Sequence, residues 1–208
     1  MSSPNVNTRL EMFSDGVFAI AITILVLELK LPPTESIQSK EDIWHYIIHL
    51  WPSFFALGLT FMIILISWMG HHNILALLDK TSPQFHLANG LFLLTVIILP
   101  FPTALMAEFL NTPYAQPAVF IYCLSGAFHN IGWNAIHKYI SYPAPLAKAT
   151  TNLDLLKKIR GGSQVGFFVS AAIVIIAWWF PYIAIALSFL IWVYWLYLTV
   201  SARNVEVN

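Results

Sequence analysis

Long charge-free apolar runs punctuated by short polar stretches run along the whole chain. About 20 apolar residues are needed to cross a hydrocarbon core of about 30 Å, so five runs qualify as crossings to be tested. The first, Gly16 to Leu27, reaches that length only with Phe13 and Leu31 at its flanks. It has the size of a signal-peptide core, but Glu11 and Asp15 precede it with a single Arg9, and Glu28 and Lys30 stand where small residues would mark cleavage. It reads as a retained first span. Ile43 to Leu78 lacks any Asp, Glu, Lys or Arg, and Trp51-Pro52 opens its membrane helix because proline is tolerated in a first turn. Phe85 to Ala107 carries Pro100 and Pro102 near its far end, where lost backbone donors favour a kink. Phe109 to His137 holds the fourth span. Gly161 to Ala202 would be roughly 63 Å long as one helix, twice the membrane, so it must be a hairpin. Its break falls at Phe180-Pro181-Tyr182, beside an aromatic belt of Trp178, Trp179 and Tyr182. The pattern predicts an all-α membrane protein, a single domain over 1–208, with six spans near 12–31, 52–70, 85–107, 115–137, 161–180 and 182–200.

Composition agrees. Hydrophobic residues make up 58% of the chain and charged residues 10%, against about 25% charged in an average soluble domain. Formal net charge is zero, which leaves no basic footprint for nucleic acid. The single Cys123 permits neither an intrachain disulfide nor a cysteine-ligated metal site.

Charge asymmetry orients the spans. Arg9, Lys80, Lys138, Lys148, Lys157, Lys158, Arg160 and Arg203 fall on the side shared by both termini, and only Lys30 and Lys40 fall on the other. By the positive-inside rule both termini are cytoplasmic.

Ionisable side chains inside a membrane are functional candidates because an unpaired charge there is costly. Asp15 lies about one turn inside the first span, at the end where the second span finishes in Trp68-Met69-Gly70-His71-His72-Asn73. The carboxylate can meet a histidine, the Trp68 indole N–H or Arg9, and the cluster can serve as a helix clasp or as a titrating group. His71 and His72 point about 100° apart on a helix and suit one metal ion poorly. His45 and His49 are better spaced but sit in a segment that looks interfacial. A haem carrier needs histidine pairs at matched depth, and only His129 lies well inside a span. No hydrolase triad order, phosphate-cradling glycine loop or H-E-x-x-H motif is present, so neither an enzyme nor a cofactor is indicated.

At 100° per residue, Phe13, Gly16, Ile20, Thr23, Leu27 and Leu31 share one stripe of the first span, with Asp15, Phe18, Ile22 and Leu29 on the far side. Thr23 is the only polar side chain between Gly16 and Glu28. Periodicity alone leaves that stripe open to lipid, to packing or to a pore.

The segment Arg9-Leu10-Glu11-Met12-Phe13-Ser14-Asp15-Gly16, continuing to Leu27, resembles the R-x-x-x-F-S-D signature of the transmembrane protein 175 family, the lysosomal potassium channel and its prokaryotic relatives. The Trp68 to Asn73 segment adds weaker support, and the likeness runs over nearly the whole chain as one six-helix repeat. The resemblance implies a homotetramer whose four first helices line a central pore permeable to potassium and other monovalent cations, in the plasma membrane. It implies apolar constrictions at Ile20 and Leu27 with Thr23 beside the first, on the stripe that periodicity isolates. It also implies an inter-helix polar network containing Arg9 and Asp15, to which Ser14, Trp68, His71, His72 and Asn73 are the neighbouring candidates. No T-V-G-Y-G carbonyl filter is present. Outer connections carrying Glu28, Glu35, Glu41, Asp42 and Glu108 against Lys30 and Lys40 would concentrate cations at a pore mouth. A secondary transporter is the alternative, although it would normally show internal repeats and a charged midplane site, and only Pro100 and Pro102 hint at a broken helix.

The charge asymmetry places Asn208 in the cytoplasm. A reporter active only outside the cytoplasm should give no signal when fused there, and a strong signal would overturn the six-span map.

Overall fold

The computed structural model describes residues 7–140 and 146–205, with side chains described to residue 200. Arg203 and Asn208 therefore lie outside the described side chains. The described residues form eight α-helices and two 3₁₀ turns: α1 (Thr8–Ile24), a 3₁₀ turn (Leu25–Glu28), a second (Thr34–Ser36), α2 (Lys40–His49), α3 (Trp51–Ala76), α4 (Pro83–Ile98), α5 (Pro100–Phe109), α6 (Ala115–Ile140), α7 (Leu153–Trp179) and α8 (Pro181–Val205).

Local chemistry sets the boundaries. Ser39 accepts from the Asp42 N–H while the Asp42 carboxylate accepts back from the Ser39 N–H, a capping box that starts α2. α2 buries none of its side chains, which fits the interfacial character read for His45 and His49. Their rings stack at 3.9 Å, and the described residues contain no cluster able to hold a metal ion. Ser82 caps α4 by accepting from the Phe85 N–H, and Pro83 occupies the first turn. Between α4 and α5 the Leu99 N–H bonds to the Val96 carbonyl, the acceptor that Pro100 cannot serve. The Thr103 N–H and hydroxyl then both take the Leu99 carbonyl. The proline kink read from sequence is thus a local shift in hydrogen-bond partners. Phe180 separates α7 from α8 where the hairpin break was expected.

Some boundaries differ from expectation. α3 continues to Ala76, past the expected end of the second span at residue 70. α7 begins at Leu153 because the Asn152 side chain caps it by accepting from the Asp154 N–H, extending a charged turn below the apolar run.

Five helical segments are long and apolar enough to cross a membrane: Thr8–Glu28, Trp51–Ala76, Pro83–Phe109, Leu153–Trp179 and Pro181–Val200. α6 has 26 residues but carries His129, Asn130, Asn134, His137 and Lys138, which dilute its apolar character. It packs more extensively than any other helix, chiefly on α7 and α4, then on α5 and α8. α1 lies against α3 and α4. One end of the bundle brings together the α5–α6 and α7–α8 turns, where the Tyr182 hydroxyl donates to the Leu110 carbonyl. At the other end the α3–α4 and α6–α7 connections pair as backbone, Asp79 N–H to Leu146 and Lys148 N–H to Leu77.

α4 and α6 approach closely at Gly132. Gly132 has no side chain, and a Cβ there would stand 2.9 Å from the Phe92 Cα and 3.0 Å from Thr95 Oγ1. Close backbone approach of this kind is a common basis of helix association in lipid. Gly132→Ala should therefore destabilise the purified protein by about 1–3 kcal/mol, the usual cost of overpacking. Gly126→Ala on the same helix meets nothing within 4 Å and should leave the thermal midpoint unchanged. Equal midpoints for the two variants would refute this account of the crossing.

Candidate functional site

α1 presents two unlike faces. Ser14, Phe18, Ala21 and Leu25 are buried against the bundle, with Phe18 only 1% exposed. The opposite face, with Phe13 63%, Ile20 59% and Leu27 73% exposed, is left open by the other described residues. Thr23 and Gly16 are exposed on that face as well. The sequence-derived stripe thus holds through Leu27, although the helix tightens to 3₁₀ at Leu25. Leu29 and Leu31 lie past the helical part, so the expected helix to residue 31 is too long by about one turn. The Thr23 hydroxyl donates to the Ala19 and Ile20 carbonyls at 2.9 Å, which leaves its oxygen lone pairs available on the open face.

The buried face is held by polar links at the end nearer Arg9. The Trp68 indole N–H donates to Asp15 Oδ1 at 2.9 Å, so of the partners considered for Asp15 it is Trp68 that is engaged. Asp15 is half-buried rather than buried. His71 is buried and turns elsewhere. Its Nε2 lies 2.6 Å from Asn89 Oδ1, and the Asn89 amide donates to Ser14 Oγ at 3.2 Å. Because the amide oxygen can only accept, His71 carries its proton on Nε2 in this chain of bonds. His72 pairs with Glu11 at 2.9 Å. Arg9 and Asn73 are exposed, and neither is joined to these links by a hydrogen bond or ion pair among the described residues. Residues on helix ends at a wet boundary do not need internal partners.

Asn89 and Glu11 are members that sequence reasoning missed. Ionisability inside an apolar run marks carboxylates and imidazoles and not amides. An Asn within Phe85 to Ala107 was the available signal, since a buried amide in lipid also requires partners.

A second polar set lies deeper. His129 is fully buried, with Nδ1 2.9 Å from Thr95 Oγ1 and Nε2 2.7 Å from Ser67 Oγ. The Trp133 indole N–H also donates to Nε2 at 3.1 Å. Indole only donates, so Nε2 must accept and the ring proton sits on Nδ1. Every ring nitrogen is engaged, which fits a satisfied core histidine and not a haem ligand. Thr60 lies 2.7 Å from Thr103 and 3.3 Å from the Tyr122 hydroxyl, joining α3, α5 and α6.

At the opposite end Lys30 bridges to Glu108 at 2.8 Å, and its carbonyl accepts from the Tyr46 hydroxyl. The Glu108 carboxylate holds the Lys30 ammonium above the ordinary lysine value. Backbone donors of Gln38 and Ser39, with the Ser39 hydroxyl between them in weight, hold Asp42 below the usual carboxylate range.

These features describe a multi-pass helical membrane protein in which one face of the first helix is left open along its length. The family model described as endosomal/lysosomal potassium channel TMEM175 matches residues 9–100. A potassium channel of Streptomyces collinus is 34% identical over 184 residues, covering 83% of this chain and 88% of that protein. A potassium channel of Chamaesiphon minutus is 46% identical over 114 residues, 55% of this chain and 56% of that protein's length. The crystal structure of a lysosomal potassium-selective channel TMEM175 homolog from Chamaesiphon minutus superposes with a TM-score of 0.83 at 31% identity, covering 92% of this chain and 96% of that one. The chain belongs to the TMEM175 family, and the relatives compared are channels rather than enzymes.

Substitution separates the two links on the buried face. Asn89→Ala strands a buried imidazole N–H and loosens Ser14, and should cost about 1–2 kcal/mol. Trp68→Phe removes a bond at a partly exposed position and should cost less than about 1 kcal/mol. Thermal midpoints of the purified variants test this order, and the reverse would make the Asp15 link the principal hold on α1.

Proposed function

We propose that the chain is one subunit of a homotetrameric, potassium-permeable cation channel of the plasma membrane, with residues 1–208 forming a single six-span channel domain and both termini in the cytoplasm. α6 is the sixth span in this reading, its His129, Asn130, Asn134 and His137 tolerated because they face protein rather than lipid. Four copies of α1 surround the pore and turn Ile20, Thr23 and Leu27 inward. The observation that carries the proposal is the two-faced packing of α1: the bundle takes Ser14, Phe18, Ala21 and Leu25, and among the described residues leaves Ile20, Thr23 and Leu27 exposed. The relatives named as potassium channels support the ion.

Rings of Ile20 and Leu27 form apolar constrictions that exclude water when narrow and pass ions when widened. Thr23 oxygens substitute for part of the hydration shell that a cation loses between them. No carbonyl filter takes part. At the outer mouth the Lys30–Glu108 bridge cancels one pair of charges, so Glu28, Glu35, Glu41 and Asp42 against Lys40 leave the field that attracts cations. The clasp formed by Trp68–Asp15 and by His71–Asn89–Ser14 sets the rotation of α1 and so aims the pore face.

Cutting Ile20 to Ala should lower the apolar barrier, raising current and weakening discrimination among cations. Thr23→Ala should reduce the preference for potassium over sodium more than it changes total conductance. Ala variants of Phe18 and Ile22 should affect packing instead. Reversal potentials under potassium and sodium gradients decide the matter. A shift with Phe18 or Ile22 but none with Ile20 and Thr23 would mean that α1 presents a different face to the pore.

A further inference from the structure

We infer that the chain holds, inside its own helix bundle, a binding site for a small uncharged hydroxylic molecule, water or a short-chain alcohol, in a cavity between α3, α6, α7 and α8. Among the described residues none of α1 lines it, so the site does not depend on the pore assignment. The cavity measures about 30 Å³. A buried water needs about 10–15 Å³ on this measure, so the space takes about two waters or one molecule of ethanol's size.

Three helices set its place. Tyr122, Gly126 and Asn130 follow one another at spacings of four on α6, so they share a stripe, and all three line the cavity. Both outer members of that stripe reach other helices, Tyr122 to Thr60 and Asn130 to Ser170. Between them a Cβ at Gly126 would meet nothing within 4 Å. Open space therefore lies beside Gly126 on the inner side of α6. Ser170 of α7 and Ser188 of α8 stand on the wall, about 15 Å and about 12 Å along their helices from the Phe180 break. In a hydrocarbon core of about 30 Å those distances put the cavity near mid-depth, away from bulk water.

The placement of the wall's protons specifies the occupant. The Ser125 hydroxyl donates to the Tyr122 carbonyl at 2.7 Å, Ser170 to the Gly166 carbonyl at 2.9 Å and Ser188 to the Ala184 carbonyl at 2.8 Å. The Thr103 hydroxyl donates to the Leu99 carbonyl, so Thr60 donates to Thr103 and Tyr122 to Thr60. Both amide hydrogens of Asn130 are committed as well, to the Gly126 carbonyl and to Ser170 Oγ. Four hydroxyl oxygens and the Asn130 amide oxygen thus keep lone pairs, with no hydroxyl or amide proton left to give. The indoles of Trp192 and Trp195 complete the wall, and neither N–H has a hydrogen-bond partner among the described residues. A group that donates to oxygen and accepts from an indole satisfies both, and a hydroxyl is the smallest that does. Hydrocarbon would leave those lone pairs unmet. A charged occupant would need a counter-charge at this depth, and no Asp, Glu, Lys or Arg is among the described residues of the wall.

The test counts long-lived internal waters in the purified full chain in detergent by magnetic relaxation dispersion of water oxygen. Gly126→Ala puts a methyl group into the cavity and should remove about one or two such waters per chain. Ser188→Val, on a different helix, takes away an acceptor and should remove the same waters. Gly90→Ala also meets nothing within 4 Å but lies off the cavity, and should keep the wild-type count. Thermal midpoints show which variants keep the native fold. Ethanol added to the wild type separates the two occupants: a count that falls to that of Gly126→Ala puts the alcohol in the site, and an unchanged count assigns the site to water. Bulkier tert-butanol should leave the count unchanged. The inference is overturned if Gly126→Ala or Ser188→Val, folded to the wild-type midpoint, keeps the wild-type count. It is overturned equally if Gly90→Ala loses as many waters as they do, or if tert-butanol empties the site.

Discussion

Phe92 is the point on which four helices depend. Its backbone lies against Gly132 of α6, and its ring stands 4.5 Å from Trp133, 5.3 Å from His129, 5.5 Å from His71 and 6.0 Å from Phe18. The contact with His71 is a near-parallel stack, and the others are tilted, the arrangement that aromatic quadrupoles favour over a face-to-face pair. Through this one side chain α4 touches α1, α3 and α6. The approach requires glycine at residue 132, because a Cβ there would meet backbone and not the movable end of a side chain. The lateral position of α1 follows from it, since Phe18 docks on the same cluster.

Around that cluster the hydrogen bonds obey the rule that lipid imposes: a polar group away from water must find its partner within the protein. His129 has three partners, His71 bonds to Asn89, and Thr60, Thr103 and Tyr122 complete one another. This explains why α6 has fewer apolar residues than the other long helices and still sits at the centre of the packing. Its His129, Asn130 and Asn134 side chains point inward to partners on α3, α4 and α7. The same arrangement divides α1. Links from Trp68 and Asn89 hold its inner face, and among the described residues they leave the other face exposed.

Much of this was legible from residue order. Apolar runs bounded by charge located the long helices, Pro181 located the hairpin break, and Pro100 located the interruption between α4 and α5, because hydrophobic length and the missing proline N–H are local properties. The 3.6-residue period separated Ile20, Thr23 and Leu27 from Phe18, and Asp15 was marked as needing a donor from its depth alone. Trp68 was among the donors considered because both lie at the same end of antiparallel spans.

Tertiary structure decided the rest. Which donor reaches Asp15, the departure of His71 to Asn89, the pairing of His72 with Glu11 and the exposure of Arg9 and Asn73 all depend on how far each helix is rotated about its axis. Packing at Phe92 and Gly132, residues 40 positions apart in the chain and adjacent only after folding, acts on that rotation together with the hydrogen bonds themselves. The sequence by itself determined a membrane-embedded helical protein with a two-faced first helix, because periodicity and hydropathy act within a single segment. The partners of each polar group came only from the fold, because a hydrogen bond between helices is a property of the distance between them.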